Sequence, residues 1–210
     1  AVSCKTIVKN IKPVFNRLIL EEKIQKHPFS SIKIKIAPKF KERIKEEDIQ
    51  AILSLDFSKN EKLSVYRDIF LTLCFTGLSY TDLYSLNRKS VLKTGYFEIQ
   101  RNKSGILVRQ YVVEHALKIF KIYDEELSCK VNNIVVPKRS LDKINFNLKL
   151  FGSYIGLDFP LTTYVARRFF RQSIYNAGIH EPLIVKTLMG HSLKGDMDIY
   201  YLEVNEEMLK

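Results

Sequence analysis

YFEIQRNKSGILVRQYVV, residues 96–113, is the stretch on which the fold class turns. Apolar side chains fall at Tyr96, Phe97 and Ile99, then Lys103-Ser104-Gly105 interrupts, and Ile106, Leu107, Val108, Tyr111, Val112 and Val113 follow. Two such runs around a Ser-Gly read as a β-hairpin. The chain on either side keeps helical spacing. Ile7, Val8, Ile11, Val14, Phe15, Leu18, Ile19 and Ile24 mark a helix over about 5–26, with Pro13 kinking or ending its first part. Acidic residues open a helix at Lys45-Glu46-Glu47-Asp48, where they suit the helix dipole, and Ile49, Ile52, Leu53 and Leu55 give it a buried face. A strongly apolar helix over 62–76, through Leu63, Ile69, Phe70, Leu73, Cys74 and Phe75, is the expected core, ended by Gly77. A short helix begins at Thr81-Asp82, and further helices are expected at about 114–125, 140–155, 164–177, 182–189 and 196–202. The sum is mainly α with a small antiparallel β-sheet.

The extended segment HPFSSIKIKIAPKFKER, residues 27–43, is the expected boundary. It separates residues 1–35, a helical remnant plus linker, from a main domain over 36–210. The first residues, AVSCKTIVKN, read as a helix entered midway, as in a piece of a longer chain, with no signal-peptide architecture.

The 210 residues carry 34 Lys+Arg against 23 Asp+Glu, a net charge of +11. Such a balance points to a polyanionic partner: nucleic acid, or an anionic membrane surface. The excess is uneven. Residues 1–45 hold 12 basic and 3 acidic side chains, and two further basic blocks cover 88–109 and 138–171. Charge runs are usually solvated surface; here three distant segments could also assemble one basic face that tracks phosphates. Lys33, Lys35, Lys39, Lys41 and Arg43 in the linker, Arg88 and Lys89, and Arg168 and Arg171 are the candidate DNA-contacting residues. No apolar run approaches the ~20 residues of a membrane span. Three scattered cysteines, Cys4, Cys74 and Cys129, argue against a disulfide framework and a cysteine zinc site, and fit a reducing cytoplasm. No cofactor and no metal is expected.

Four clusters could carry chemistry. In QRNKSG, Arg101 and Lys103 stand two apart, so strand periodicity puts both on one face near the turn. In TTYVARRFFR, residues 162–171, Tyr164 and Arg167 share a helix face, as do Arg168 and Arg171, beside Phe169 and Phe170. Guanidiniums held against a core suit bidentate phosphate binding. In LMGHS, Gly190 reads as a helix cap that leaves His191 at a turn. In DIYYLEV, Tyr200 and Tyr201 are adjacent and cannot face the same way on a helix. Taken singly, the hairpin charges read first as exposed surface and His191 and the tyrosines first as structural residues, and the arginine helix also reads as amphipathic with its wet side charged.

Their order is informative. A lysine on a hairpin turn, an aromatic-x-x-Arg helix, a Gly-His and a tyrosine nine residues later resemble the tyrosine recombinase (phage integrase) family. TGLSYTDLYSL, LTTYVARRFF, TLMGHS and DIYYLEV look most like integrases of mobile, conjugative elements from Bacteroidetes. The resemblance covers about residues 40–204, and residues 1–35 look like the end of the family's core-binding domain. It implies a tyrosine recombinase catalytic-domain-like fold. It also implies strand cleavage through a 3′-phosphotyrosyl intermediate, to integrate or excise a mobile element, with no ATP or metal. The carried-over roles are Tyr200 as nucleophile, Lys103 as general acid, Arg167 as phosphate clamp and His191 as phosphate donor. The implied partners are double-stranded DNA, further copies in a synaptic tetramer, and a host DNA-bending protein, in a bacterial, nucleoid-associated setting.

Two positions depart from the pattern. Ser79 stands where the family has arginine, and Tyr164 where it has histidine. Losing one fixed cation from a scissile phosphate costs about 10²–10³ in rate. Either Arg101 replaces it from the hairpin, or the site is weakened and the chain is a DNA-binding module of the same fold. A structural or ribosomal basic protein is a third reading, and it gives no reason for the motif order.

Overall fold

In the computed structural model, residues 2–30 and 42–192 are described. The chain divides into two compact units, residues 1–41 and 42–210.

In the first unit, helix α1 (Val2–Leu20) runs unbroken through Pro13. It ends earlier than its apolar spacing suggests. Glu22 adopts a left-handed φ of 55°, and the Lys23 amide donates back to the Leu18 carbonyl at 2.9 Å. This closure satisfies carbonyls that the last turn leaves open. The chain then folds back, so that Phe15, His27 and Phe29 stack with ring centroids 5.3–5.8 Å apart.

The second unit is built around helix α3 (Ser64–Thr76), whose Ile69, Phe70, Leu71 and Leu73 are fully buried. It is apolar on nearly every side because α9 (Thr163–Asn176), α6 (Glu114–Ile122) and α8 (Leu141–Tyr154) all pack on it. Helix α2 (Glu46–Leu53) adds Ile49 and Ile52 to the same core. Its start is tied by the Asp48 carboxylate accepting from the Lys45 amide at 2.8 Å. Helix α4 (Tyr80–Leu83) is short, as expected.

Two helices were not legible in the apolar spacing. α5 (Arg88–Thr94) starts where Asn87 accepts from the Ser90 amide at 3.0 Å and ends at left-handed Gly95. α7 (Leu127–Asn132) ends at left-handed Asn133. Both are shorter than two turns, too short for a 3.6-residue period to show.

Strands β1 (Tyr96–Gln100) and β2 (Leu107–Tyr111) form the antiparallel hairpin, with Tyr96 opposite Tyr111 and Gln100 opposite Leu107. Phe97, Ile99 and Val108 face the core, and Glu98 pairs with Arg109 at 2.7 Å on the outer face. Helix α10 (Pro182–Met189) packs on β2 and α9, and with Phe170 and Ile174 it forms a second, smaller apolar cluster. The architecture is the expected one: mainly α, with one small antiparallel sheet. The helix expected near 196–202 lies outside the described residues. Among the described residues no helix is long and apolar enough to cross a membrane, and no cluster of three metal-ligating side chains forms.

Candidate active site

The site forms where two helices end. α3 stops at Gly77 (φ 63°) and α10 stops at Gly190 (φ 57°), both in the left-handed region that favours glycine. Each glycine is also needed for space. A Cβ on Gly77 would collide with the Phe170 ring, and one on Gly190 with Arg101 Cδ and Val108 Cγ2.

Helix α9 buries Val165, Ala166, Phe169 and Phe170 and thereby turns Arg167 toward these two ends. Arg167 donates through Nη1 to the Gly77 carbonyl and through Nη2 to the Met189 carbonyl. The last carbonyls of a helix are its negative end, so both contacts favour a cation. Burial, followed by the charge of Arg101, lowers the Arg167 pKa to about 10, and the guanidinium stays protonated at neutral pH.

Arg101 reaches the same place from the hairpin. Its Nη1 donates to the Met189 carbonyl at 2.8 Å, and its Nη2 pairs with Asp82 Oδ2 at 2.8 Å. One carbonyl oxygen therefore accepts from both guanidiniums, which holds two cations within reach of a single atom. His191 follows directly, its amide donating to the Lys186 carbonyl at 2.8 Å. Partial burial, then Arg167, Arg101, Arg171 and Lys186, push the His191 pKa below its ordinary value. At neutral pH its imidazole is neutral, with one N–H to donate.

Lys103 departs from the geometry its spacing suggested. β1 ends at Gln100, and the chain turns through Asn102–Ser104, closed by the Gly105 amide donating to the Arg101 carbonyl at 2.8 Å. Arg101 still obeys the strand alternation and points inward at 8% exposure, whereas Lys103 sits exposed on the turn. The two do not share a face, because period two ends where the turn begins.

Ser79 caps α4 and gives its hydroxyl to Asp82 Oδ2 at 2.6 Å. Tyr164 lies under its helix neighbour Arg168, whose guanidinium carbon is 4.7 Å from the ring centroid. Arg168 also donates to the Glu42 carbonyl at 2.7 Å, and Arg43 to Gln172 Oε1 at 3.3 Å. Arg171 and Lys89 are exposed. Arg88 is buried and bound to Asp124, which makes it an internal brace rather than a surface cation. Tyr200, Lys33, Lys35, Lys39 and Lys41 lie outside the described residues.

No protein-family profile and no curated protein matches the chain. Solved structures do. A lambda integrase dimer bound to a COC′ core site superposes with a TM-score of 0.70 at 15% identity, over 95% of this chain and 72% of that one. The Tn1549 transposon integrase in complex with circular intermediate DNA gives 0.66 at 16%, over 97% and 76%. A lambda integrase tetramer bound to a Holliday junction gives 0.68 at 16%, over 94% and 61%. This is the tyrosine recombinase catalytic-domain fold. On that fold, the sequence reading missed Asp82, Asn102 and the carbonyls of Gly77 and Met189. In the sequence Asp82 only marks the start of a short helix, and backbone carbonyls leave no mark in a sequence.

Proposed function

We propose that this chain is a site-specific DNA recombinase, an integrase that cleaves and rejoins DNA through a 3′-phosphotyrosyl intermediate. The observation that carries the reading is the Met189 carbonyl shared by Arg101 and Arg167, one residue from Gly190-His191, on a recombinase fold. A phosphodiester oxygen meeting two guanidiniums and an imidazole N–H has the fixed donors that a pentacovalent phosphorane needs. Tyr200 Oη attacks phosphorus while its proton passes to solvent water, the bond from phosphorus to the 5′ oxygen breaks, and Lys103 gives that oxygen a proton. Arg167 and Arg101 bind the non-bridging oxygens, and His191 donates to one of them. The reverse reaction with another strand's 5′-hydroxyl religates the DNA. The exposed position of Lys103 suits a side chain that meets DNA only when the duplex is seated on the turn. The partner is double-stranded DNA, and synapsis assembles four copies. Residues 1–35 serve as the end of a core-binding domain and linker, and the recombined DNA belongs to a mobile element.

A nicked suicide duplex tests this. The chain should form an SDS-resistant adduct that Tyr200→Phe abolishes; an adduct surviving in that variant overturns the assignment. A second reading, a DNA-binding module with a weakened site, is favoured by the Ser79 hydroxyl being committed to Asp82. It predicts salt-sensitive duplex binding without an adduct.

A further inference from the structure

We infer that Asp82 is a positioning residue, which fixes the second guanidinium of the site by holding Arg101 from behind while Ser79 and Asn102 hold Asp82. Asp82 is buried, its side chain 2% exposed, and both carboxylate oxygens are served. Oδ2 accepts from the Ser79 hydroxyl at 2.6 Å and pairs with Arg101 Nη2 at 2.8 Å. Oδ1 accepts from the Asn102 amide at 2.9 Å and from Asn102 Nδ2 at 3.4 Å. Asn102 Nδ2 in turn donates to Ser85 Oγ at 3.0 Å. These contacts tie the start of α4 to the hairpin turn, so one buried carboxylate sets where two separate segments lie. Arg101 is thereby fixed at both ends of its fork: Nη2 on Asp82 and Nη1 on the Met189 carbonyl that also receives Arg167. A guanidinium held at two points keeps its charge in place, where a surface arginine would spread over many rotamers.

Ser79 gains a role of its own here. Its hydroxyl donates to the carboxylate that holds Arg101. The consequence for strand cleavage rests on the recombinase reading, whereas the pairing itself does not, so two measurements separate them.

The first is nitrogen-15 NMR of arginine side chains in the intact chain. Arg101 Nη–H signals should show hindered rotation and slow exchange, and Asp82→Asn should collapse them. Glu98→Gln, which removes the exposed partner of Arg109, should leave them unchanged. Signals that persist in Asp82→Asn overturn the proposal.

The second is adduct formation on the nicked duplex. Asp82→Asn should slow it about 10- to 100-fold with duplex affinity kept, by analogy with losses on removing residues that orient a functional group. Asp82→Glu should recover part of the rate. In an Arg101→Ala background, Asp82→Asn should cost nothing more, because a group that acts only through Arg101 has nothing left to act on. Full multiplication of the two losses overturns the proposal. Should Asp82→Asn not fold, Ser79→Ala carries the same test with a smaller, few-fold loss that also vanishes beside Arg101→Ala. No adduct from the unaltered chain, with the NMR result as expected, overturns the recombinase reading and leaves the Asp82–Arg101 pairing standing.

Discussion

Arg101 and Arg88 are both buried arginines paired with an aspartate, yet they sit in differently built regions. In the Arg101–Asp82 pair both side chains are closed off, at 8% and 2% exposure, and in the Arg88–Asp124 pair the aspartate is 42% exposed. Arg88 also donates to the Asp124 carbonyl at 2.6 Å, while its amide reaches the Asn133 carbonyl at 3.1 Å. It joins the start of α5 to the ends of α6 and α7. Arg101 shares its acceptor with Arg167 and lowers that residue's pKa. Burial and an aspartate partner do not by themselves mark a functional arginine. Two like charges kept on one oxygen set Arg101 apart from Arg88, because such a pair suits an incoming anion.

The largest effect that would separate the two regions is on strand cleavage. Arg101→Ala should lower the adduct rate about 10²–10³-fold, the range for deleting one fixed donor to a developing oxyanion, and leave duplex affinity within a few-fold. Near-normal cleavage by that variant would remove Arg101 from the site. Arg88→Ala should show the reverse: unchanged cleavage per folded molecule, and a stability loss of about 1–3 kcal/mol in denaturant melts. That figure is the penalty for breaking a buried pair, reduced because Asp124 can be rehydrated.

This contrast also explains what was legible in the sequence. Arg88 and Arg101 lie in the same basic block, and counting charge treats them alike. The core of α3 and the hairpin were readable because long apolar spacing and a change of period are written into consecutive residues. Arg167, Gly190 and His191 were readable as a motif order. The inward turn of Arg101 follows the alternation of Phe97 and Ile99, whereas the outward position of Lys103 was not readable, because it depends on where β1 stops. Asp82 was invisible for a related reason: its partners Ser79 and Arg101 are close in space, and Arg101 is on another element. Arg88 was misplaced because nothing local announces that Asp124, 36 residues on, closes over it.

The next effect concerns the glycines that end helices near each arginine. Gly95 and Gly190 are both left-handed, at φ 66° and 57°. A Cβ on Gly95 meets only Leu117 Cδ1, at an ordinary 3.8 Å, so Gly95→Ala should cost about 1–2 kcal/mol of backbone strain and leave cleavage alone. A Cβ on Gly190 collides with Arg101 Cδ, so Gly190→Ala should add a displacement of Arg101 and reduce adduct formation beyond its stability loss. Equal behaviour of the two variants in the cleavage assay would show that Arg101 can shift without consequence.

The smallest effect is on proton binding at His191, and it reads the electrostatics of the site without DNA. Burial comes first in depressing this pKa, with Arg167 and then Arg101 next. Because the folded value lies below the unfolded one, the neutral ring's contribution to stability is full above about pH 6.5, the unfolded value, and is lost as pH falls toward the folded pKa. Arg101→Ala removes one repelling charge, so the His191 resonance should titrate at higher pH and the acid-side loss of stability should shrink. Arg88→Ala, which is absent from the groups that act on His191, should leave the titration where it was. A bound phosphodiester should move it in the same direction as Arg101→Ala, since an anion offsets both guanidiniums. Duplex binding below pH 6.5 should therefore take up protons, measurable as a dependence of the binding heat on buffer ionisation enthalpy. Binding heats independent of the buffer would place His191 away from the phosphate and leave the two arginines as the whole of the anion site.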